Sequence, residues 1–172
     1  MQAVAAGNLA AFQALYDRHH RGVFGFLLRS LGDRRLAEDL LQETFLRVFA
    51  HRHAYRPTAT LRTWLFTIVR NLLIDQFRQR SKNPEIESGE ILETVADAGA
   101  TPLQEAEASE VAERLQAAVL SLRPSQREVL LLHRFAGLRP EEIAEVTGAS
   151  PAGVRVTLHR ALRQLRDFLG PL

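Results

Sequence analysis

The chain has 172 residues, of which 46% are hydrophobic and 24% charged, a composition typical of a folded protein with one ordinary domain or two small ones. It contains no cysteine, which excludes disulfide bonds, a thiol nucleophile and a cysteine-based zinc site. Its apolar runs are short and the N-terminus lacks the pattern of a signal peptide, so we expect a cytoplasmic protein without membrane insertion.

The net charge of +2 conceals an uneven distribution along the chain. Residues 1–80 carry a net charge of +6, residues 81–110 carry −7 and residues 111–172 carry +3. Two basic blocks on either side of an acidic connector predict two separate contacts with nucleic acid.

Helical periodicity accounts for most of the chain, and no segment alternates as a strand would. The pattern predicts helices over about 8–29, 33–50 and 61–79, with at most a short turn between the last two, and then over 104–122, 125–136, 140–147 and 150–168. Turn-forming pairs such as Asn83-Pro84 and Ser88-Gly89 interrupt the pattern between the two groups. We therefore expect an all-α fold of two small helical domains, residues 1–80 and 106–172, joined by a flexible acidic linker over 81–105.

The helix over 33–50 has one apolar face and one mixed face. At 100° per residue its inner side carries Ala37, Leu40, Leu41, Thr44, Phe45 and Val48. The outer side carries Asp39, Gln42, Glu43 and Leu46. A large apolar residue among acidic and amide groups suits a protein partner with basic groups around an apolar spot, although an ordinary solvated face with one stray leucine fits equally well.

The helix over 61–79 places polar and aromatic groups on its outer side. Thr63, Thr67, Asn71, Ile74 and Arg78 face outward, and Trp64 lies at the border. The preceding loop adds Tyr55 and Arg56. Such groups hold phosphates and stack on exposed bases, whereas Trp64 could also be a core residue.

The stretch from Pro124 to Phe168 predicts a helix-turn-helix. Thr147-Gly148 forms the turn, since glycine tolerates a positive φ, and Ser150-Pro151 supplies an N-cap and a first-turn proline. One face of the last helix is apolar and is expected to be buried: Val154, Leu158, Ala161, Leu165 and Phe168. The other face carries the groups that would meet duplex DNA: Ser150, Ala152, Arg155, Val156, His159, Arg160 and Arg163.

These motifs together resemble the extracytoplasmic-function (ECF) group of sigma factors of bacterial RNA polymerase. The resemblance runs through Ala11–Tyr16, Leu31–Asp33, Ala37–Phe45 and Trp64–Leu72 in the first block. In the second block it runs through Leu122–Leu130, Glu142–Ala144 and Leu158–Ala161. It covers nearly the whole chain outside the linker.

The resemblance implies a promoter-specificity subunit. Residues 1–80 would be sigma region 2, with Asp39, Gln42, Glu43 and Leu46 docking on the clamp helices of the largest subunit of core RNA polymerase. The groups that would open and hold the −10 element are Tyr55, Arg56, Trp64, Thr67, Asn71 and Arg78. Residues 106–172 would be region 4, in which the outward residues of the last helix read the −35 element of promoter DNA. The family also implies an anti-sigma factor as a partner, and no catalytic chemistry, cofactor or metal.

Two other classes of protein are alternatives to this interpretation. A helix-turn-helix regulator with an N-terminal ligand or dimerisation domain would bind duplex DNA tightly by itself, whereas a sigma factor should need polymerase. A helical enzyme or metalloprotein is suggested only by His19-His20 and by His51 and His53, which lack the i, i+4 spacing of a zinc-binding helix.

Overall fold

The computed structural model describes residues 1–56, 58–82 and 102–170, with side chains from residue 111 onward in the last range. The described residues form α-helices and connecting turns, without a strand. The helices are α1 (Gln2–Ala5), α2 (Leu9–Leu31), α3 (Arg34–Ala50), α4 (Leu61–Lys82), α5 (Pro102–Ser121), α6 (Pro124–Arg134), α7 (Pro140–Thr147) and α8 (Pro151–Leu169).

The first unit, α1 to α4, folds around the long helix α2. The Asn8 side chain caps α2 by accepting a hydrogen bond from the backbone N–H of Ala11 at 3.0 Å. The Asp33 carboxylate caps α3 in the same way, from the N–H of Leu36 at 3.0 Å. In the core, the rings of Phe26 and Phe66 meet edge to face with centroids 5.6 Å apart, joining α2 to α4.

The second unit, α5 to α8, contains the helix-turn-helix formed by α7 and α8. Gly148 ends α7 in the left-handed conformation, with φ of 75°, which a glycine adopts without strain. Pro124, Pro140 and Pro151 stand in the first turns of α6, α7 and α8, where proline has no N–H that needs a partner. These signals are why the three helices begin where they do.

The predicted helix boundaries are confirmed to within three residues, and α1 is an additional helix that the sequence analysis did not predict. Both α4 and α5 extend into the predicted linker, whose remaining residues 83–101 lie outside the described part of the chain. Two side chains differ from the prediction. Thr63 is buried instead of facing outward: its hydroxyl pairs with that of Thr60 at 2.8 Å, and α4 packs against α7 of the second unit, whose position was not predicted. Phe168 is 53% exposed instead of buried. It lies on α8 past Gln164, whose side-chain amide donates to the carbonyl of Ser121 at the end of α5, so α5 does not cover it.

The two units, whose relative placement could not be predicted from the sequence, are in contact in the structure. Buried apolar residues of both units form one continuous cluster. A smaller cluster of Leu122, Leu130 and Ala161 lies within the second unit. The surfaces with predicted functions are therefore parts of one packed molecule.

Candidate functional site

The first candidate surface is the α3 patch, defined as Asp39, Gln42, Glu43 and Leu46. Asp39 and Gln42 are exposed, and Leu46 is 59% exposed, so the structure places these groups on the outer face as predicted. Glu43 already has a partner within the chain, since its carboxylate accepts a hydrogen bond from Nε of Arg47 at 2.7 Å. The opposite face of α3 packs into the core through residues such as Phe45 and Val48.

An apolar groove of about 550 Å³ adjoins the α3 patch. Leu9, Phe12 and Tyr16 of α2 form one wall of the groove, and the α3 patch contributes Gln42 and Leu46 to its lining. Leu9 is 69% exposed. This contribution of α2 was not predicted from the sequence, although the spacing of three and four between these residues is the signal of a helical stripe. The α3 patch is thus the acidic edge of a larger apolar surface.

The second candidate surface is the α4 face, defined as Tyr55, Arg56, Trp64, Thr67, Asn71 and Arg78. Tyr55 and Trp64 are half-buried and meet edge to face with centroids 5.4 Å apart, so the loop is held against α4. Arg56, Asn71 and Arg78 are exposed. The Thr67 hydroxyl donates to the carbonyl of Thr63 at 2.9 Å, which leaves its oxygen lone pairs for other donors.

A cavity of about 670 Å³ with a mixed polar and apolar lining lies beside the loop of the α4 face. Tyr55 and Arg56 line it together with Arg52 and His53, and the short helix α1 closes one side through Gln2 and other residues. Arg52 is fixed there, because its guanidinium donates to the carbonyl of Phe49 at 2.8 Å and stacks over that residue's ring. Cationic and aromatic groups around a cavity of this kind suit an unstacked base with its phosphate.

The third candidate surface is the α8 face, whose members all lie exposed along α8 or at its start: Ser150, Ala152, Arg155, Val156, His159, Arg160 and Arg163. The Ser150 hydroxyl caps α8 by accepting from the N–H of Gly153 at 3.1 Å. Val154 and Ala161 are buried on the opposite side, so the basic side faces solvent. This is the arrangement by which a recognition helix enters a major groove.

Glu142 and His19, which lie near the contact between the units, both have lowered pKa values. The backbone N–H of Arg139 bonds the Glu142 carboxylate at 2.9 Å and lowers its pKa, with help from the hydroxyl of Thr60. Burial lowers the pKa of His19, and the nearby charges of Arg62 and Arg18 act in the same direction. The shifts favour the carboxylate form of Glu142 and the neutral form of the His19 imidazole.

The fold is that of an all-α protein with a helix-turn-helix, a motif that typically binds DNA. Residues 15–83 match the family model of sigma-70 region 2, and residues 112–165 match that of sigma-70 region 4. The chain belongs to the ECF group of RNA polymerase sigma factors. Its function is to direct RNA polymerase to specific promoters for transcription initiation.

Two relatives match over most of their length. The chain is 36% identical over 172 residues to the RNA polymerase sigma factor CarQ of Myxococcus xanthus, covering 100% of this chain and 97% of CarQ. It is 32% identical to the ECF sigma factor SigX of Bacillus subtilis, over 92% of this chain and 83% of SigX.

A solved structure has the same fold. It is the sigma factor RpoE from Bartonella quintana in complex with the anti-sigma factor NepR. It aligns with a TM-score of 0.75 at 23% identity, over 92% of this chain and 96% of RpoE. In the part of the chain that the structure describes, no helix is long and apolar enough to cross a membrane.

Proposed function

We propose that each of the three surfaces makes a different contact in promoter recognition, and that the α3 patch docks on the clamp helices of the largest polymerase subunit. The observation that supports this most directly is Leu46, 59% exposed between the acidic and amide groups of α3 and continuous with the apolar groove. An apolar centre with a charged rim is the usual anatomy of a protein interface. The exposed Asp39 would pair with basic groups of the clamp helices.

The α4 face and its loop would hold the non-template strand of the −10 element. Trp64 and Tyr55 offer aromatic surface for stacking, and Asn71 offers an amide that can hydrogen-bond a base edge. Arg56 and Arg78 are exposed and would bind phosphates. Capturing unstacked bases here would supply free energy for opening the duplex.

The α8 face would read the −35 element as duplex DNA. Ser150 and the free N–H groups at the start of α8 would bind a phosphate, and Arg160 and Arg163 would bind others. Arg155 and His159 carry donors for base edges, and Val156 suits the methyl group of thymine.

We place the domain boundaries at residues 1–80 for region 2 and 106–172 for region 4, with a linker between them. We also propose an anti-sigma factor as a second protein partner, on the precedent of RpoE, whose structure contains one. In this role the chain needs no catalytic step, cofactor or metal, and it would act in the cytoplasm with polymerase and promoter DNA.

Reversing two charges of the α3 patch tests the assignment. The double variant Asp39→Arg/Glu43→Arg should lose co-purification with core polymerase and run-off transcription, with an unchanged circular dichroism spectrum. Asp17→Arg is the matched control, because Asp17 is an exposed aspartate on α2 outside the patch, and it should behave as the native protein. Co-purification of the double variant at the native level would refute the assignment.

A further inference from the structure

A group of arginines outside the three surfaces lies where α2 and α4 meet the end of α6 and the loop that follows it. The group, called the junction cluster below, consists of Arg18 and Arg21 of α2, Arg62 of α4 and Arg134 of α6. All four residues are exposed. Arg18 lies one helical turn before Gly22, and Arg21 lies one turn before Gly25, so each shares a side of α2 with one of these glycines.

The two glycines contact the second unit, which brings the junction cluster together. A Cβ atom on Gly22 would lie 2.8 Å from the carbonyl oxygen of Phe135, and a Cβ on Gly25 would lie 2.6 Å from Cδ1 of the Phe135 ring. Phe135 therefore lies directly against α2. Arg21 and Arg134 are the sequence neighbours of Gly22 and Phe135, and consecutive Cα atoms are only about 3.8 Å apart. Long side chains from both positions can therefore reach one ligand.

Arg62 is held beside the loop between α6 and α7. Its Nη1 donates to the carbonyl of Gly137 at 3.3 Å, and a Cβ atom on Gly137 would lie 3.1 Å from the same nitrogen. The loop is fixed in turn, since Nδ1 of His133 lies 3.0 Å from the carbonyl oxygen of Leu138. A guanidinium has five N–H donors, so Arg62 keeps donors for a ligand.

The positive charge of the junction cluster is not balanced within the described part of the chain. Other arginines are paired, as Arg70 of α4 is with Glu128 of α6, with 2.7 Å between Nε and Oε1 and both side chains about three-quarters buried. No carboxylate among the described residues forms an ion pair with a member of the junction cluster. The four guanidinium groups are thus available to an anion.

His19 lies next to Arg18 on α2 and experiences this charge. Burial lowers the pKa of His19, and the positive charges of Arg62 and Arg18 lower it further. Cations on two different helices therefore act at one point of the molecule.

We propose that the junction cluster binds a compact phosphate chain, either inorganic polyphosphate or the phosphates of a nucleotide. Guanidinium groups bind phosphate oxygens through paired hydrogen bonds, and several of them match the several charges of such a chain. The arginines of the α8 face follow one helix, which suits the extended backbone of a nucleic acid. In the junction cluster the cations come from three helices around one loop, which suits a short anion. This site is independent of the roles proposed for the three surfaces.

Binding is measured on the full chain by NMR titration of the His19 imidazole, whose signal is assigned by its absence from His19→Gln. Inorganic triphosphate, without divalent cations, should saturate the protein and raise the pKa of His19, because its negative charge offsets that of the guanidinium groups. ATP should give the same shift if phosphates alone are recognised, and tighter binding of ATP would identify a nucleotide as the ligand. An unchanged His19 signal with both ligands would overturn the proposal, as would a shift produced only by a single-stranded oligonucleotide.

Substitutions test whether the four arginines form the site. Arg18→Gln/Arg62→Gln should weaken triphosphate binding in calorimetry by at least about tenfold. Arg134→Gln alone should weaken it too, because the second unit contributes to the site. Arg35→Gln removes an exposed arginine of α3 outside the junction cluster and is the matched control, with the native affinity expected. The substituted side chains are exposed, so circular dichroism spectra should stay native. Native affinity in the double variant, or an equal loss in Arg35→Gln, would overturn the proposal.

Discussion

The guanidinium of Arg155 on α8 pairs with the carboxylate of Glu141 on α7, fourteen residues earlier. The guanidinium of Arg155, which we propose contacts a base edge, is therefore paired with a carboxylate of the preceding helix when DNA is absent. Exposed ion pairs of this kind contribute up to about 1 kcal/mol, which Arg155 must give up on binding.

Glu141→Gln should therefore tighten binding of the −35 element by up to about fivefold. The measurement is fluorescence anisotropy of the polymerase holoenzyme on a labelled −35 duplex at fixed salt. Glu145→Gln, which removes a charge from another exposed position of α7, is the matched control and should have a smaller effect. Weaker binding by Glu141→Gln would mean that Glu141 orients Arg155 for DNA.

Ser150 is proposed to serve both as the cap of α8 and as part of a phosphate contact, and two substitutions separate these roles. Ser150→Ala should lower the free energy of unfolding by about 1 kcal/mol, because the N–H of Gly153 loses its acceptor. Ser150→Asp keeps an acceptor but adds a negative charge where a phosphate would lie. It should unfold in urea like the native protein and bind the −35 duplex more weakly. Equal destabilisation by both variants would contradict the capping role.

Arg163 and Val156 of the α8 face should affect DNA binding in different ways. Arg163→Gln should weaken binding to all sequences alike and reduce the slope of log K against log salt concentration by about 0.9, the value of one phosphate contact. Val156→Ser should leave that slope unchanged and alter the preferred base at one position. Salt titrations and selection from a promoter library distinguish the two. A sequence-specific effect of Arg163→Gln would remove it from the phosphate contacts.

Asp33 has two roles that neutral substitutions can separate. Its Oδ1 caps α3, and its Oδ2 lies 3.3 Å from the guanidinium of Arg80 at the end of α4. Asp33→Asn keeps the cap and loses the ion pair, whereas Asp33→Ala loses both. Asp33→Ala should therefore be less stable than Asp33→Asn by about 1 kcal/mol in urea unfolding. Equal losses would show that the cap contributes nothing.

The lowered pKa of Glu142 predicts a pH-dependent contribution to stability. Because the folded chain holds the carboxylate ionised, the contribution is present at neutral pH, above the pKa of the unfolded chain, and is lost as the pH falls through the lower pKa of the folded chain. The difference in unfolding free energy between the native protein and Glu142→Gln should therefore shrink on acidification. Urea titrations at a series of pH values measure it, with Glu145→Gln as the control. A difference that stays constant with pH would contradict the prediction.

Most of the helices could be predicted because helical periodicity and capping are local signals. Ser150, predicted as the cap of α8, lies three residues from the group that it binds, and the caps Asn8 and Asp33, which were not predicted, lie equally near theirs. The outward position of Leu46 followed from the helical period in the same way. Phe168 lies on the predicted apolar stripe of α8, but the helical period of α8 alone could not show where the helices that cover this stripe end.

The contact between the units could not be predicted, since its partners are far apart in the sequence. Gly22 and Gly25 lie in the middle of α2, where a glycine only weakens a helix unless another group needs the space. Phe135 follows the end of α6 and resembles any apolar residue near a turn. Arg70 and Glu128 stand 58 residues apart, and neither looks different from other charged residues of the chain.

The prolines that open α6, α7 and α8 have a consequence for how such proteins diversify. Each ring fixes a backbone angle in the first turn, so the starting point of the helix does not depend on the side chains farther along it. The exposed positions of α8 can then be exchanged while the first turn of the helix stays the same. Under the proposed role of α8 in reading the −35 element, new promoter preferences would arise by substitution at individual positions on a constant scaffold.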